Sequence, residues 1–363
     1  MKLPLARRST TVIGKVITLQ KKAPVVYLLF VVGFFLLIKG ASWLVDGSAA
    51  LARRYRVSDM FIGLTIVSVG TSFPELVVNL AASLSGSPEI AIGNIFGSNI
   101  ANVLLVLGLM AVIYPVAVQK NTLRFDIPVV LAATLLVSLL GTWGMLFSSS
   151  TGEVHDYFSL SRLNGVILLV LFGVFLLYSY KQMEHNKAPT LFGGALATKQ
   201  LTTPVSGTAD LPLWRFVGLI IIGIAALYLG GDWVVKGAVV IAENLGLSEG
   251  FVGLTIVAFG TSLPELVTSV MAASKRNVDM AFGNIIGSNV FNLLWVIGIS
   301  AVVNPLRINM DHINRFDILV MLLSSALIIP LVLMSRKRTI GWPAGVLFLL
   351  LYAGYLVALI NRG

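Results

Sequence analysis

Stretches long and apolar enough to cross a lipid hydrocarbon core recur from Val25 to Ile360, and no other feature of this 363-residue chain restricts its fold so strongly. A core of about 30 Å takes about 20 helical residues. Ten such spans are read at residues 25–51, 58–84, 88–114, 124–147, 162–180, 212–242, 248–274, 278–304, 315–334 and 341–360. Runs such as Val166 to Tyr178 lack the short alternating segments of a membrane barrel, so the expected fold class is an all-α membrane protein of about ten transmembrane helices. With 57% hydrophobic and 12% charged residues, the solvent for most of the chain is lipid.

The formal charge of +10 is explained by helix orientation rather than by a nucleic-acid partner. One set of alternate loops carries 14 basic residues, among them Arg53, Arg54, Arg56, Lys120, Arg124, Lys275, Arg276 and Arg338; the opposite set carries only Arg162, Arg307, Arg315 and Arg362. The basic set is expected on the cytoplasmic side of a plasma membrane, a bacterial inner membrane, with both termini outside. The tail at residues 1–24 is basic and free of acids, which opposes an external N-terminus, but the loops outvote it. It reads as a simple tail or a misplaced start rather than a targeting presequence.

Sliding the chain on itself by 190 positions lays Gly40, Trp43 and Gly47 onto Gly230, Trp233 and Gly237. From Phe61 to Val77, 13 of 17 residues then match Phe251 to Val267, and Ala91 to Asn102 matches Ala281 to Asn292 at 8 of 12. The expected organisation is a tail at 1–24, a first five-helix repeat at 25–180, a polar cytoplasmic linker at 181–211 and a second repeat at 212–363. Five is odd, so the second copy enters the membrane inverted. Inverted repeats mark secondary transporters, whose sites lie near the midplane at broken helices.

The repeated chemistry is concentrated in Gly70-Thr71-Ser72-Phe73-Pro74-Glu75 and its copy Gly260-Thr261-Ser262-Leu263-Pro264-Glu265. A carboxylate inside an apolar helix is costly and points to function. Ser68, Thr71 and Ser72 share a helix face with Glu75, as Ala258, Thr261 and Ser262 do with Glu265. Pro74 and Pro264 should kink their helices and free backbone oxygens. The next helices carry Gly93-Asn94-Ile95-Phe96-Gly97-Ser98-Asn99 and Gly283-Asn284-Ile285-Ile286-Gly287-Ser288-Asn289, followed by Asn102 and Asn292. Their glycines allow close helix approach; ligation is favoured for Ser98, Asn102, Ser288 and Asn292, while Asn94, Asn99, Asn284 and Asn289 are balanced between ligation and packing.

Two carboxylates with hydroxyl, amide and carbonyl oxygens make a hard site suited to calcium, sodium or potassium. The chain has no cysteine, and His155, His185 and His312 fall in loops, so an intramembrane zinc site or thiol chemistry is excluded. Charged pairs are expected between Asp232 and Lys236, less firmly between Lys39 and Asp46, and at the helix starts between Asp126 and Arg124 and between Asp317 and Arg315.

These residues resemble the cation/calcium exchanger superfamily, whose paired repeats carry GTSxPE and GSNxxN or GSNxxD segments, in particular prokaryotic sodium/calcium antiporters. The resemblance implies ten helices about a pseudo-twofold axis in the membrane plane. It also implies ion ligation by Glu75, Glu265, Thr71, Ser72, Thr261, Ser262, the carbonyls of Ser68 and Ala258, and Ser98, Asn102, Ser288 and Asn292. Calcium and sodium would be cargo, with no resident cofactor, no obligate protein partner and no enzymatic activity. Asn292 stands where the potassium-dependent branch has aspartate, which reads against potassium coupling. The rival readings are a proton-coupled calcium antiporter and, further off, a cation channel.

Overall fold

The computed structural model describes residues 23–147, 157–187, 212–244, 258–309, 315–335 and 337–361. The N-terminal tail to residue 22, most of the 147–161 loop, residues 188–211 and the first part of the expected span at 248–274 lie outside the described residues.

The chain is built from long apolar helices. The first half comprises α1 (Ala23–Tyr55), α2 (Asp59–Thr71), α3 (Phe73–Leu84), α4 (Pro88–Ile113), α5 (Ile127–Phe147, entered through a π turn at Thr122–Asp126) and α6 (Arg162–Lys187). The second comprises α7 (Leu213–Asn244), α8 (Ala258–Thr261), α9 (Leu263–Ser274), α10 (Val278–Val303), α11 (Arg315–Met334) and α12 (Trp342–Ile360). Among the described residues 8 helices are long and apolar enough to span a membrane, or 9 when α2 and α3 count as one bent span. The protein is an all-α membrane protein in its framework. Helix α6 continues to Lys187, seven residues into the stretch expected as linker, because Lys181 to Lys187 holds no glycine or proline to stop it.

The expectation of helix alone is corrected at the loops, where four short strands form two ribbons. β1 (Val116–Ala117) pairs antiparallel with β4 (Thr339–Ile340), and β2 (Tyr157–Leu160) with β3 (Leu306–Asn309). Each ribbon joins a loop of one half to a loop of the other.

Helices α4 and α10 form the centre, with 78% and 83% of an 18-residue stretch of each buried; the corresponding share is 22% in α1 and α12, which line the periphery. α1 and α7 run antiparallel along a glycine seam. A Cβ on Gly40 would lie 2.9 Å from the Gly223 carbonyl oxygen, and one on Gly230 would lie 2.7 Å from that of Gly33. Backbones this close exclude any larger residue and maximise dispersion where lipid offers no hydrophobic drive. Gly40 and Gly230 hold the same place in the two repeats, so equivalent helices run in opposite directions.

α10 presses equally closely on α2. A Cβ on Gly283 would stand 2.6 Å from the Met60 carbonyl oxygen, and one on Gly287 would overlap the Ser68 hydroxyl. The close approach expected at Gly93 and Gly97 is thus present at their counterparts; of the segment that would mirror α2, 249–261, only Ala258–Thr261 is among the described residues.

Candidate functional site

Both halves break their proline-bearing helix at the same residue of the repeat. Between α2 and α3, Ser72 takes φ −84° and ψ 8°; between α8 and α9, Ser262 takes φ −85° and ψ 1°. The segments either side of Ser72 meet at 45°. The kink expected from sequence is therefore a true restart, with Pro74 and Pro264 in the first turn of a new helix, where a missing N–H leaves no hydrogen bond unmade. Without that N–H the Gly70 carbonyl has no donor four residues ahead. Glu75 and Glu265 fall in the first turns of α3 and α9, where the positive end of the helix dipole favours an anion.

The breaks bring the repeated residues together in the interior. Glu75, Glu265, Ser68, Thr71, Ser72, Ser98, Ser288, Asn102 and Asn292 have no exposed surface, and Ser262 and Thr261 are buried. The Ser72 hydroxyl donates to Glu265 Oε1 at 2.9 Å across the two halves, and the Ser288 hydroxyl approaches the same oxygen at 3.5 Å. Thr71 Oγ1 and Ser288 Oγ stand 3.4 Å apart. Asn102 opens a π segment in α4 and Asn292 lies in its counterpart in α10, the kind of widened turn that often marks a functional position. Asn102 Nδ2 donates to Asn289 Oδ1 at 3.1 Å, which leaves Asn102 Oδ1 buried without a partner.

Other predicted ligands are buried but not hydrogen-bonded to one another. Both carboxylate oxygens of Glu75 are buried without a hydrogen bond, as are the hydroxyls of Ser98 and Ser262 and the amide of Asn292. Ser98 faces Glu75, and Glu75 lies near enough to Glu265 to feel its charge, although no hydrogen bond forms there. The Ser68 carbonyl still accepts from Ser72 N at 2.9 Å, whereas Ser262 N turns to the Phe259 carbonyl at 3.2 Å, one residue past Ala258.

Among the described residues no lysine or arginine is buried, and no three His, Cys, Asp or Glu side chains form a metal cluster. Among the described residues, the Glu75 and Glu265 carboxylates thus lie in the interior without a buried lysine or arginine to balance them. A charge in a low-dielectric interior needs a counter-charge. The orphaned hydroxyl, amide and carboxylate oxygens buried in this interior are of the kind that holds a hard cation.

Three of the four asparagines left undecided by the sequence, Asn94, Asn284 and Asn289, acquire partners, and Asn99 does not. Asn94 Nδ2 donates to Asn79 Oδ1 at 2.9 Å, and Asn284 Nδ2 to Ser269 Oγ at 3.0 Å. Asn79 and Ser269 escaped notice in the sequence; the available signal was their repetition, each 15 residues before its asparagine in a polar-poor helix. Asp232 and Lys236 pair at 2.7 Å as expected. Lys39 and Asp46 do not: Lys39 lies over the Phe35 ring, and Asp46 pairs at 2.7 Å with Lys275, which folding brings to α1 from the end of α9. Asp126 is buried, and among the described residues no ion pair joins it to Arg124.

Comparison with known proteins accounts for both halves. The family model described as sodium/calcium exchanger protein matches residues 25–181 and 215–361. The chain is 35% identical to the putative antiporter CaxA of Alkalimonas amylolytica over 89% of this chain and 95% of that one. It is 37% identical to the inner membrane protein YrbG of Escherichia coli strain K12, covering 91% and 94%. A solved structure of the sodium-calcium exchanger NCX_Mj, soaked with sodium and calcium, superposes with a TM-score of 0.72 at 32% identity, over 92% of this chain and 98% of that one. Matched in both its halves and along nearly its whole length, the chain belongs to the sodium/calcium exchanger protein family and is by that membership a cation/calcium antiporter.

Proposed function

We propose that the chain exchanges sodium for calcium across the membrane by alternating access at the buried oxygen site around Glu75 and Glu265. One observation carries the reading: two fully buried glutamates, one from each half, with no buried lysine or arginine among the described residues. Exposing both charges uncompensated to a poorly hydrated interior costs several kcal/mol per ion, so the empty carrier rarely changes its facing. Either one calcium ion or a set of sodium ions neutralises the pair and permits the change. Coupling follows from that requirement alone, without a nucleotide.

The ligands are Glu75, Glu265, Thr71, Ser72, Thr261, Ser262, Ser98, Ser288, Asn102 and Asn292, with the carbonyls of Ser68 and Ala258. They lie near the midplane of ten helices in two inverted five-helix repeats, at 25–180 and 212–363. The antiparallel α1 and α7 seam supports inversion. The membrane is the bacterial inner membrane, as the name of YrbG suggests, with the 181–211 linker cytoplasmic and both termini outside.

The test is calcium uptake into proteoliposomes under imposed sodium, potassium or proton gradients. An outward sodium gradient should drive uptake, and choline in place of potassium on both faces should leave it intact, because Asn292 supplies an oxygen without a third carboxylate. Uptake that follows a proton gradient and ignores sodium would establish the proton-coupled reading instead.

A further inference from the structure

Two hydrogen-bond chains of the same design cross the site in opposite directions. In one, Thr71 Oγ1 of the first half donates to Asn284 Oδ1 of the second at 3.0 Å, and Asn284 Nδ2 donates onward to Ser269 Oγ at 3.0 Å. In the other, Thr261 Oγ1 donates to Asn94 Oδ1 at 3.0 Å, and Asn94 Nδ2 donates to Asn79 Oδ1 at 2.9 Å. Every member is buried. Each asparagine therefore has its oxygen on a threonine of the opposite half and its nitrogen on a polar side chain of its own half. The bonds also tie α2 to α10 and α8 to α4, helices from different halves.

A hydroxyl has one hydrogen and two lone pairs. It can face a cation only when its hydrogen points elsewhere. The Thr71 hydroxyl has other acceptors within reach, the Ser68 carbonyl and Ser288 Oγ, both at 3.4 Å, but Asn284 Oδ1 at 3.0 Å is the nearest. Turning the Asn284 amide over would set its N–H against Thr71 Oγ1 and drive the hydroxyl hydrogen away from Asn284, toward the carboxylates and any ion between them. The Ser269 hydroxyl accepting from Nδ2 holds the amide the productive way round.

We propose that Asn94 and Asn284 are positioning residues: each draws the hydroxyl hydrogen of the opposite half's threonine out of the site, so that Thr261 and Thr71 present lone pairs to the transported cation. This rests on the ion-site reading above and deepens it. The asparagines do not touch the ion. They set the polarity of the groups that do, and because each bond spans the two halves, ion affinity is linked to the contact between α2 and α10 and between α4 and α8.

The decisive experiment is a double-mutant cycle on the full chain in detergent, with calcium binding followed by titration calorimetry. Asn284→Leu and Thr71→Val should each weaken binding about tenfold, the scale of one lost buried hydrogen bond. The double variant should bind no more weakly than the weaker single one, because both remove the same hydroxyl orientation. Independent losses that multiply to about a hundredfold would make Asn284 a merely structural residue and overturn the inference. Should Asn284→Leu fail to fold, Ser269→Ala in the parental and Thr71→Val backgrounds decides: a several-fold loss confined to the parental background supports the proposal, and an equal loss or none in both backgrounds overturns it. A parent that binds no calcium removes the ion site and this inference together; a parent that binds calcium with an additive cycle removes this inference alone.

Discussion

The first and second halves bring nearly the same side chains to the interior and pair them differently. Around Glu265 the hydroxyls of Ser72 and Ser288 close to 2.9 and 3.5 Å, while Glu75, in the equivalent position, has neither oxygen hydrogen-bonded. Asn102 is held by Asn289, yet the mirror bond from Asn292 to Asn99 is not made and both of those amides are buried without partners. The difference extends beyond the site. Helix α1 packs along α9, whereas α7 barely touches α3 among the described residues. A carrier whose inverted halves exchange roles between two facings cannot keep those halves alike in either facing. On the proposed mechanism one half holds the closed arrangement and the other the open one, and the opposite facing is reached when they exchange roles.

The glutamates test that comparison most severely. Glu75→Gln and Glu265→Gln each remove half of the proposed site's charge and keep the shape, so each should abolish sodium-driven calcium uptake in proteoliposomes. Stability should move the other way. Two neighbouring like charges oppose each other, so in ion-free buffer both variants should melt at or above the parental temperature, while the stabilisation that calcium confers on the parent by mass action disappears. If either variant transports calcium at the parental rate, the two halves do not form one site.

The serines at the breaks carry a smaller and more discriminating effect. Ser72 donates to a carboxylate, a bond worth roughly 1.5 to 3 kcal/mol, and Ser262 donates to nothing in this conformation. Without ions, Ser72→Ala should lower unfolding stability by about 1 to 3 kcal/mol, and Ser262→Ala should leave it unchanged or slightly raise it. With calcium present both variants should bind more weakly, because both oxygens are proposed ligands. Equal losses in ion-free buffer would mean that the halves do not differ in solution as they do here.

Much of this was readable from residues alone. Apolar runs located the helices, the 190-residue self-match located the halves, and Glu75 and Glu265 stood out because a carboxylate among Val, Leu and Ile residues has no bland explanation. Pro74 announced a disturbance in its helix, but not that the chain would restart there and leave Glu75 in a first turn, since that depends on Ser72 leaving helical geometry. The bond from Ser72 to Glu265 spans 193 residues and follows from no local rule. Four strands of 2 to 4 residues are too short to show a period. Asp46 was matched to Lys39 because spacing along a helix was the only ruler available; its partner Lys275 is near only once α9 docks on α1.

That last pair gives the mildest way to sharpen the comparison. Lys275 Nζ reaches Asp46 Oδ2 at 2.7 Å, Ser42 Oγ at 2.7 Å and the Ser42 carbonyl at 3.2 Å, pinning α1 to the end of α9. In the other half the equivalent positions are Lys236 and Ser85, which cannot form an ion pair, and Lys236 turns to Asp232 one turn back on its own helix. Both pairs are partly exposed, with side chains 30% and 54% accessible for Lys275 and Asp46 and 69% and 37% for Lys236 and Asp232. Solvent screening therefore limits each to about 0–1 kcal/mol. Asp232→Asn should leave unfolding and transport within error of the parent, because its bond lies inside one helix and is the same in any arrangement of the halves. Asp46→Asn should cost little stability but weaken a contact made only while α1 lies on α9, shifting the balance between facings by less than about fivefold. Cysteine accessibility at positions flanking Glu75 and Glu265, measured from each face of the membrane, reads that balance, and raising the salt concentration should shrink the difference between parent and Asp46→Asn as surface charges are screened. An Asp232→Asn variant that shifted accessibility as far as Asp46→Asn would show that the two pairs are equivalent and that the contact between α1 and α9 does not bias the carrier.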